Sequence, residues 1–158
     1  MVEPTTKLKT HIAQCIKNQI DISDLIENVN IQNLDLSYAK ISRFNRINDN
    51  ISGCSLAKAT IGQETTTTHL SGTVMVGCNF KDTRFLGKVM MKHVDARNTN
   101  FDGTWLPRVS YRGSDFRGAT FCQIAFTIGG LAGHGAKFNK SLLDRWGLEF
   151  YTDTGDKL

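Results

Sequence analysis

Hydrophobic side chains recur at every fifth position over most of this chain. Counting in fives from Ile31, from Leu70 and from Phe101 marks 18 positions, and 17 of them are hydrophobic. A chain with 40% hydrophobic residues and no pattern would give about 7. An α-helix has a period of 3.6 and a strand a period of 2, so neither generates this spacing. The repeating unit is therefore five residues long.

The positions around each marked residue follow the same period. The residue two before it is nearly always small, as at Cys54, Thr73 and Ala119, and the residue two after it is glycine in seven repeats. Those seven are half of the 14 glycines in the chain. Glycine tolerates the backbone angles of a tight corner. Each unit is thus predicted to form one short side of a coil, with one large and one small side chain pointing inward.

Six repeats carry a family resemblance: CNFKD, TRFLG, TNFDG, VSYRG, SDFRG and ATFCQ. They resemble the motif of the pentapeptide-repeat family, small–polar–Leu/Phe–polar–Gly/any, and the resemblance covers roughly residues 29–126. It implies an all-β solenoid, a right-handed quadrilateral β-helix with four repeats in each coil. With strands stacked ~4.8 Å apart, four to five coils would form a rod of about 22 Å.

Three segments depart from the period. Arg46 occupies an inward position, so residues 44–50 are expected to leave the regular path. Residues 62–69, GQETTTTH, predict a solvent-facing loop. One extra residue before Phe101 predicts a bulge at a corner over residues 91–97.

Two segments flank the repeats, and both are predicted to be helical in part. Residues 1–28 place Leu8, Ile12 and Cys15 on one face of a helix, which we expect to cap the first coil; binding of a partner is the alternative role. In residues 127–158 a Gly-rich link precedes a short C-terminal helix. Its apolar face either caps the last coil or is buried against a second copy, as the resemblance implies for a homodimer; the face consists of Phe138, Leu142, Leu143 and Trp146.

The net charge of +4 is concentrated in the later repeats, because residues 77–126 hold eight basic and four acidic residues. Outward cations form either an ordinary solvated surface or a contact for an acidic protein partner. Nucleic acid is a weaker interpretation, because the aromatic residues point mostly inward by phase and offer no stacking surface. The candidate partner-contact residues are Lys81, Arg84, Lys92, His93, Arg97, Arg108, Arg112 and Arg117.

The sequence offers little catalytic chemistry. The four cysteines are widely spaced and the histidines lack HxxxH or HExxH spacing, so no metal site, cofactor or disulfide framework is predicted. The stretch GGLAGHGAKF departs from a phosphate-binding loop, since Ala136 intrudes before Lys137 and Phe138 replaces the hydroxyl. Cys54 and Cys78 are expected in the core, with Cys122 pointing outward. The repeats and their flanking segments use nearly the whole chain, and we predict that the protein is not an enzyme.

These observations predict a non-catalytic structural or protein–protein interaction protein that uses a rigid rod as its binding or assembly surface. The resemblance also implies an alternative, because some pentapeptide-repeat proteins mimic duplex DNA and protect a type II topoisomerase from quinolones. That mimicry depends on an acidic surface, whereas the most regular repeats here are basic. Neither a signal peptide nor a membrane-spanning run is evident, so a cytoplasmic location is expected, with incorporation into a larger particle left open.

Overall fold

The computed structural model describes residues 1–106, 108–122, 125–126 and 136–139, with the backbone alone for 125–126. Within these ranges there are two helices, α1 (Thr6–Lys17) and α2 (Ser23–Ile26), and then a succession of short strands. In chain order the strands are β1 (Lys40–Ile41), β2 (Thr60–Ile61), β3 (Thr67–His69), β4 (Arg84–Phe85), β5 (Lys88–Met90), β6 (Trp105–Leu106), β7 (Arg108–Ser110) and β8 (Ala125–Phe126).

The strands stack in parallel, so that the chain forms a β solenoid whose coils have four sides. Side A is the parallel sheet β1-β2-β4-β6-β8, and side B is the parallel sheet β3-β5-β7. Two further columns of single parallel bridges complete the coil. Side C runs through Asn50, Val74, Asp95, Asp115 and Lys137, and side D through Asp35, Ser55, Asn79, Asn100 and Thr120. The chain passes through sides D, A, B and C in turn.

A repeating set of backbone and side-chain contacts makes the corners that follow an Asn or Asp on sides C and D. The Asn or Asp that precedes an inward residue accepts a hydrogen bond from the backbone N–H two residues further on, as Asn79 does from Lys81 at 3.1 Å. This Asx turn bends the chain from one side of the coil to the next. The same contact joins Asp35 to Ser37 and Asn100 to Asp102. The next residue takes a positive φ, for example 56° at Asp82.

Most of the marked five-residue positions fill the core, as the period predicted, but Met90 does not, and the side chain of Phe126 lies outside the described residues. Phe80, Phe101 and Phe121 stack along side D, with ring centroids 5.3 and 5.2 Å apart. The small positions add a ladder of hydrogen bonds between coils. Thr83 Oγ1 donates to the carbonyl of Leu56 at 2.7 Å, and the hydroxyls of Thr99 and Thr104 and the thiol of Cys78 make equivalent bonds. Buried hydroxyls are thereby satisfied inside an apolar core.

Helix α1 is present in the N-terminal segment, as predicted, and its apolar face joins the core cluster. Thr5 Oγ1 accepts from the backbone N–H of Leu8 at 3.2 Å and so caps the start of the helix. Ile12 and Cys15 are buried against the core, while Leu8 and Ile16 pack at its margin. The open end of a solenoid would otherwise expose these core residues to water.

Residues 44–50 keep the regular path, contrary to the expectation from Arg46. Asn45 and Asn50 make the ordinary bridges of sides B and C, and Arg46 points inward with 3% of its surface exposed. The arginine is accommodated because its guanidinium donates to the carbonyls of Ile26 (2.5 Å) and Val29 (3.1 Å) and pairs with Asp49 at 3.1 Å. A charged inward residue thus satisfies carbonyls at the end of α2 and ties the N-terminal segment to the coils.

The other two expected interruptions are shifted. Residues 62–66 form the exposed loop, but Thr67–His69 is strand β3 and Thr68 is buried. The extra residue lies between Phe85 and Met91, not over 91–97, because Met91 rather than Met90 points into the core. From Met91 onward the five-residue path is regular. The register partners on side A give the length of each coil. The coil from Lys40 to Thr60 has 20 residues, the coil from Thr60 to Arg84 has 24, and the coil from Arg84 to Trp105 has 21, so the last two contain the insertions.

None of the helices in the part of the chain that the structure describes is long and apolar enough to cross a membrane.

Candidate interaction surface

Side B brings together four of the eight predicted partner-contact residues: Lys92, His93, Arg108 and Arg112. It adds Lys88, which the sequence-based set omitted although it lies in the same basic stretch. Lys88 and Arg108 are register partners in β5 and β7, while Lys92 and Arg112 each follow an inward residue, Met91 or Tyr111, on successive coils. We call Lys88, Lys92, Arg108 and Arg112 the basic face.

The dimensions of the basic face follow from the solenoid. Adjacent coils lie ~4.8 Å apart, which sets the separation of the Lys88 and Arg108 backbones. Lys88 and Lys92 are separated by four residues along one coil, or about 13 Å at ~3.3 Å per residue. Lys88 and Arg108 lie in paired strands, whereas Lys92 and Arg112 lie in the turns that follow those strands on the same two coils. Met90 and Ser110 are register partners between them.

The charges of the basic face are not balanced by ion pairs within the part of the chain that the structure describes. Among the described residues, no carboxylate forms an ion pair with Lys88, Lys92, Arg108 or Arg112. Arg108 donates to the backbone carbonyl of Glu64 at 3.3 Å, which orients its guanidinium beside the 62–66 loop. His69 is exposed in β3, and His93 is exposed at the far corner. Side B can thus attract anions along two successive coils.

The remaining predicted contact residues lie elsewhere. Arg97 and Arg117 are on side C, where they pair with Asp95 and Asp115 at 2.8 and 2.5 Å. These arginines hold the pKa of both carboxyls below the usual range, chiefly through side-chain hydrogen bonds. Their positive charge is largely balanced within the protein. The other two residues are on separate sides of the coil, Lys81 on side D and Arg84 on side A.

Phe138 does not belong to a C-terminal helix. Lys137 bridges Asp115 on side C, and Phe138 occupies the inward position after it, where its ring stacks on Phe116 at 5.1 Å. Residues 136–139 thus add one more side to the coil, and Phe138 contributes to the core. Leu142, Leu143 and Trp146, the rest of the predicted helical face, lie outside the described residues, so self-association through that face stays a prediction.

Two exposed aromatic residues were missed from the sequence. Trp105 is 47% exposed and is the register partner of Arg84 on side A, and Tyr38 is 56% exposed at the corner between sides D and A. The repeat itself predicts that Trp105 is exposed, because the position before an inward residue points outward and Trp105 directly precedes the inward Leu106. The expectation that the aromatics point mostly inward holds for the phenylalanines in the core, but not for these two residues.

The cysteines are placed as the repeat predicted. Cys54 and Cys78 are buried on neighbouring coils of side D, and Cys122 is exposed. Burial raises the pKa of the Cys78 thiol to about 12 and also raises the pKa of Cys54. Both thiols therefore stay protonated at neutral pH. No group of three His, Cys, Asp or Glu side chains suited to a metal ion occurs among the residues that the structure describes.

A cleft of about 300 Å³ lies at the N-terminal end of side B. Its lining combines apolar surface with hydroxyl and amide groups, and its two arginines, Arg43 and Arg46, are already paired with Asp24 and Asp49. The cleft offers no cation that is free of an acidic partner. The unbalanced charge is on the open basic face instead.

Comparison with known proteins adds structural neighbours. No protein-family model and no curated protein sequence matches this chain. The solved structure of alr5209, a pentapeptide repeat protein from Nostoc Pcc 7120, matches 87% of this chain and 98% of its own at 14% identity, with a TM-score of 0.44. QnrB1, a plasmid-mediated fluoroquinolone resistance protein solved after trypsin treatment, matches 82% of this chain and 71% of its own, also at 14% identity, with a TM-score of 0.38.

Both alignments with pentapeptide repeat proteins extend over most of this chain. The assignment of the solenoid rests on the four columns of parallel pairing in the chain itself.

Proposed function

We propose that this protein is a non-catalytic binding rod whose basic face contacts an acidic protein partner. The observation that carries the proposal is the convergence of Lys88, Lys92, Arg108 and Arg112 on one flat side of two successive coils. No described carboxylate pairs with any of them. The 20-residue step from Lys92 to Arg112, which equals one coil, places cations that are distant in sequence side by side.

The physical basis is electrostatic complementarity on a rigid scaffold. The backbone beneath the four cations is fixed by the β5–β7 pairing, so partner binding orders little beyond the side chains themselves. The guanidinium groups of Arg108 and Arg112 can each donate two parallel hydrogen bonds to a carboxylate. Attraction between a basic surface and an acidic one also accelerates association and weakens as salt is added.

Charge reversal tests the proposal. Lys92→Glu with Arg112→Glu inverts half of the basic face at outward positions, and the matched control, Lys7→Glu with Lys9→Glu, makes the same charge change on exposed residues of α1. We expect the first variant to lose at least tenfold in affinity for a fluorescent oligoglutamate peptide and to lose the partner retained from the native source. The control should keep both. Equal binding by the two variants would overturn the proposal.

Mimicry of duplex DNA, the alternative drawn from the resemblance, has the opposite electrostatic requirement. A DNA mimic presents carboxylates in place of phosphates, whereas side B presents four cations. Expression in a quinolone-sensitive strain is accordingly expected to leave susceptibility unchanged. A protective effect would favour the mimic and count against the basic face as the functional surface.

A further inference from the structure

The basic face continues around the corner between sides A and B. Arg84, in β4, precedes Lys88 by four residues, and Trp105, in β6, precedes Arg108 by three. Arg84 and Trp105 are register partners, as are Lys88 and Arg108. The surface therefore has two parallel rows on neighbouring coils. One row is Arg84, Lys88 and Lys92, and the other is Trp105, Arg108 and Arg112.

The fold does not require a large aromatic residue at position 105. Leu106 and Thr104 fill the inward positions on either side of it, and the outward position at the same place in other coils holds Thr60 or Lys40. Trp105 nevertheless leaves 47% of its surface exposed. It borders a shallow cleft of about 420 Å³ whose other lining residues are Asp82, Thr83, Arg84 and Gly103. Tryptophan and arginine are both among the residue types enriched at the energetically dominant positions of protein interfaces.

We infer that Trp105 and Arg84 form an apolar anchor site at the edge of the basic face. The inference rests on the proposed function and specifies the partner further. Its docking segment carries acidic residues that lie over Lys88, Lys92, Arg108 and Arg112, together with a large aliphatic or aromatic side chain that packs on Trp105. The charged contacts direct the approach, and burial of the indole ring slows dissociation.

An acidic peptide fits this surface better than single-stranded nucleic acid. Proteins that bind single strands stack successive bases on several aromatic side chains. On the two rows defined above Trp105 is the aromatic residue, and Tyr38 lies three coils away along the rod. The Tyr38 ring is moreover covered by Lys58, whose Nζ lies 5.3 Å from the ring centroid and 3.4 Å from the hydroxyl.

Tryptophan fluorescence gives a direct test. The chain has two tryptophans, so Trp146→Phe leaves Trp105 as the reporter. The probes are an oligoglutamate peptide, the same peptide with leucine at every fourth position, and an oligothymidylate of similar charge. We expect the leucine-bearing peptide to shift the Trp105 emission to shorter wavelength. Trp105→Ala should weaken that peptide about tenfold, measured by anisotropy of a label on the peptide, and leave oligoglutamate binding unchanged.

The controls separate the anchor from the basic face. Tyr38→Ala removes another exposed aromatic of side A and should alter neither peptide. Lys92→Glu with Arg112→Glu should weaken both peptides. If Trp105→Ala has no effect while charge reversal weakens both, the anchor is refuted and the basic face stands. If charge reversal affects neither peptide, the basic face itself is refuted. Quenching by oligothymidylate that depends on Trp105, without a response to the peptides, would overturn the inference in favour of a nucleic-acid partner.

Discussion

Asp82 and Gly103 lie directly above one another at the same corner of neighbouring coils, with the Asp82 carboxylate in the space that a Cβ on Gly103 would occupy. The glycine is needed for two reasons, its φ of 68° and this overlap. The same arrangement of a polar side chain against a glycine of the next coil recurs along the rod. It is formed by Asn33 and Gly53, Asn48 and Gly72, His93 and Gly113, and Asn98 and Gly118.

The two requirements at Gly103 can be separated by mutation. Gly77 has nearly the same φ, 67°, but no atom lies within 4 Å of where its Cβ would be. Gly77→Ala should therefore lower the free energy of unfolding by about 1 kcal/mol, because alanine is strained at a positive φ. Gly103→Ala should lower it by a further ~1–3 kcal/mol, because the new Cβ also overlaps the Asp82 carboxylate. Urea unfolding measures both free energies. When Asp82 is first replaced by glycine, Gly77→Ala and Gly103→Ala should lower the free energy of unfolding by similar amounts. A difference that persists without the Asp82 side chain would contradict the steric overlap.

The hydrogen-bond ladder predicts different outcomes for two buried threonines. Thr83 Oγ1 donates to the carbonyl of Leu56, whereas Thr68 Oγ1 is buried without a hydrogen-bond partner among the described residues. Thr83→Val should lower the free energy of unfolding by about 1 kcal/mol. Thr68→Val, in which an apolar methyl replaces an unsatisfied hydroxyl, should be neutral or stabilising. Equal losses in denaturant unfolding would show that the ladder contributes nothing.

Arg46 should be among the most sensitive positions of the solenoid. Arg46→Met leaves the carbonyls of Ile26 and Val29 without their donor and Asp49 as a buried charge, a loss of roughly 3–5 kcal/mol. Arg43→Met is the matched control, because Arg43 is exposed and its ion pair with Asp24 is on the surface. That variant should stay within about 0.5 kcal/mol of the parent in urea unfolding. A small effect of Arg46→Met would refute its role in anchoring the N-terminal segment.

Side C predicts a loss of stability in acid. The pKa values of Asp95 and Asp115 are lowered in the folded protein, mainly by hydrogen bonds from Arg97 and Arg117. Their stabilising contribution is complete above the unfolded-state pKa of about 3.9 and disappears as the pH falls through the lower folded-state values. Asn fits the same turn at positions 50, 79 and 100. Asp95→Asn with Asp115→Asn should therefore fold normally and show a smaller fall in melting temperature from pH 6 to pH 3, measured by circular dichroism.

The five-residue period was sufficient to predict the solenoid and most of its core, because each inward residue needs only its own short side to be placed. It was insufficient at Arg46, whose inward position depends on carbonyls from α2 that no local pattern reveals. Outside the repeats, the apolar pattern of the C-terminal segment placed Phe138 in a helix, which was wrong. The spacing to Leu142 was helical, but stacking on Phe116 from the preceding coil determines its conformation.

Of the basic face, the sequence predicted only that positive charge is concentrated in the later repeats. The sequence located the excess cations in the later repeats, but the side that each one occupies depends on the lengths of the coils. Moving the extra residue from 91–97 to the segment before Met91 brings Lys88 onto side B together with Arg108. Arg97 and Arg117 each have an aspartate two residues before them and pair with it, whereas Ser110 stands at that place before Arg112, a difference that the sequence contains and the prediction did not use.

Both insertions lie at one corner, between sides A and B. The 62–66 loop follows Ile61 and the extra residue follows Phe85, yet the bridges of sides C and D continue in step on the next coil. Gly87 packs beneath the loop against the carbonyls of Gln63, Glu64 and Thr66, so the two insertions are accommodated as one unit. This corner of the solenoid therefore tolerates inserted residues. A foreign epitope or a tether introduced there should project beside the basic face while the winding of the rod is preserved, which would make the protein a carrier whose cargo can be exchanged.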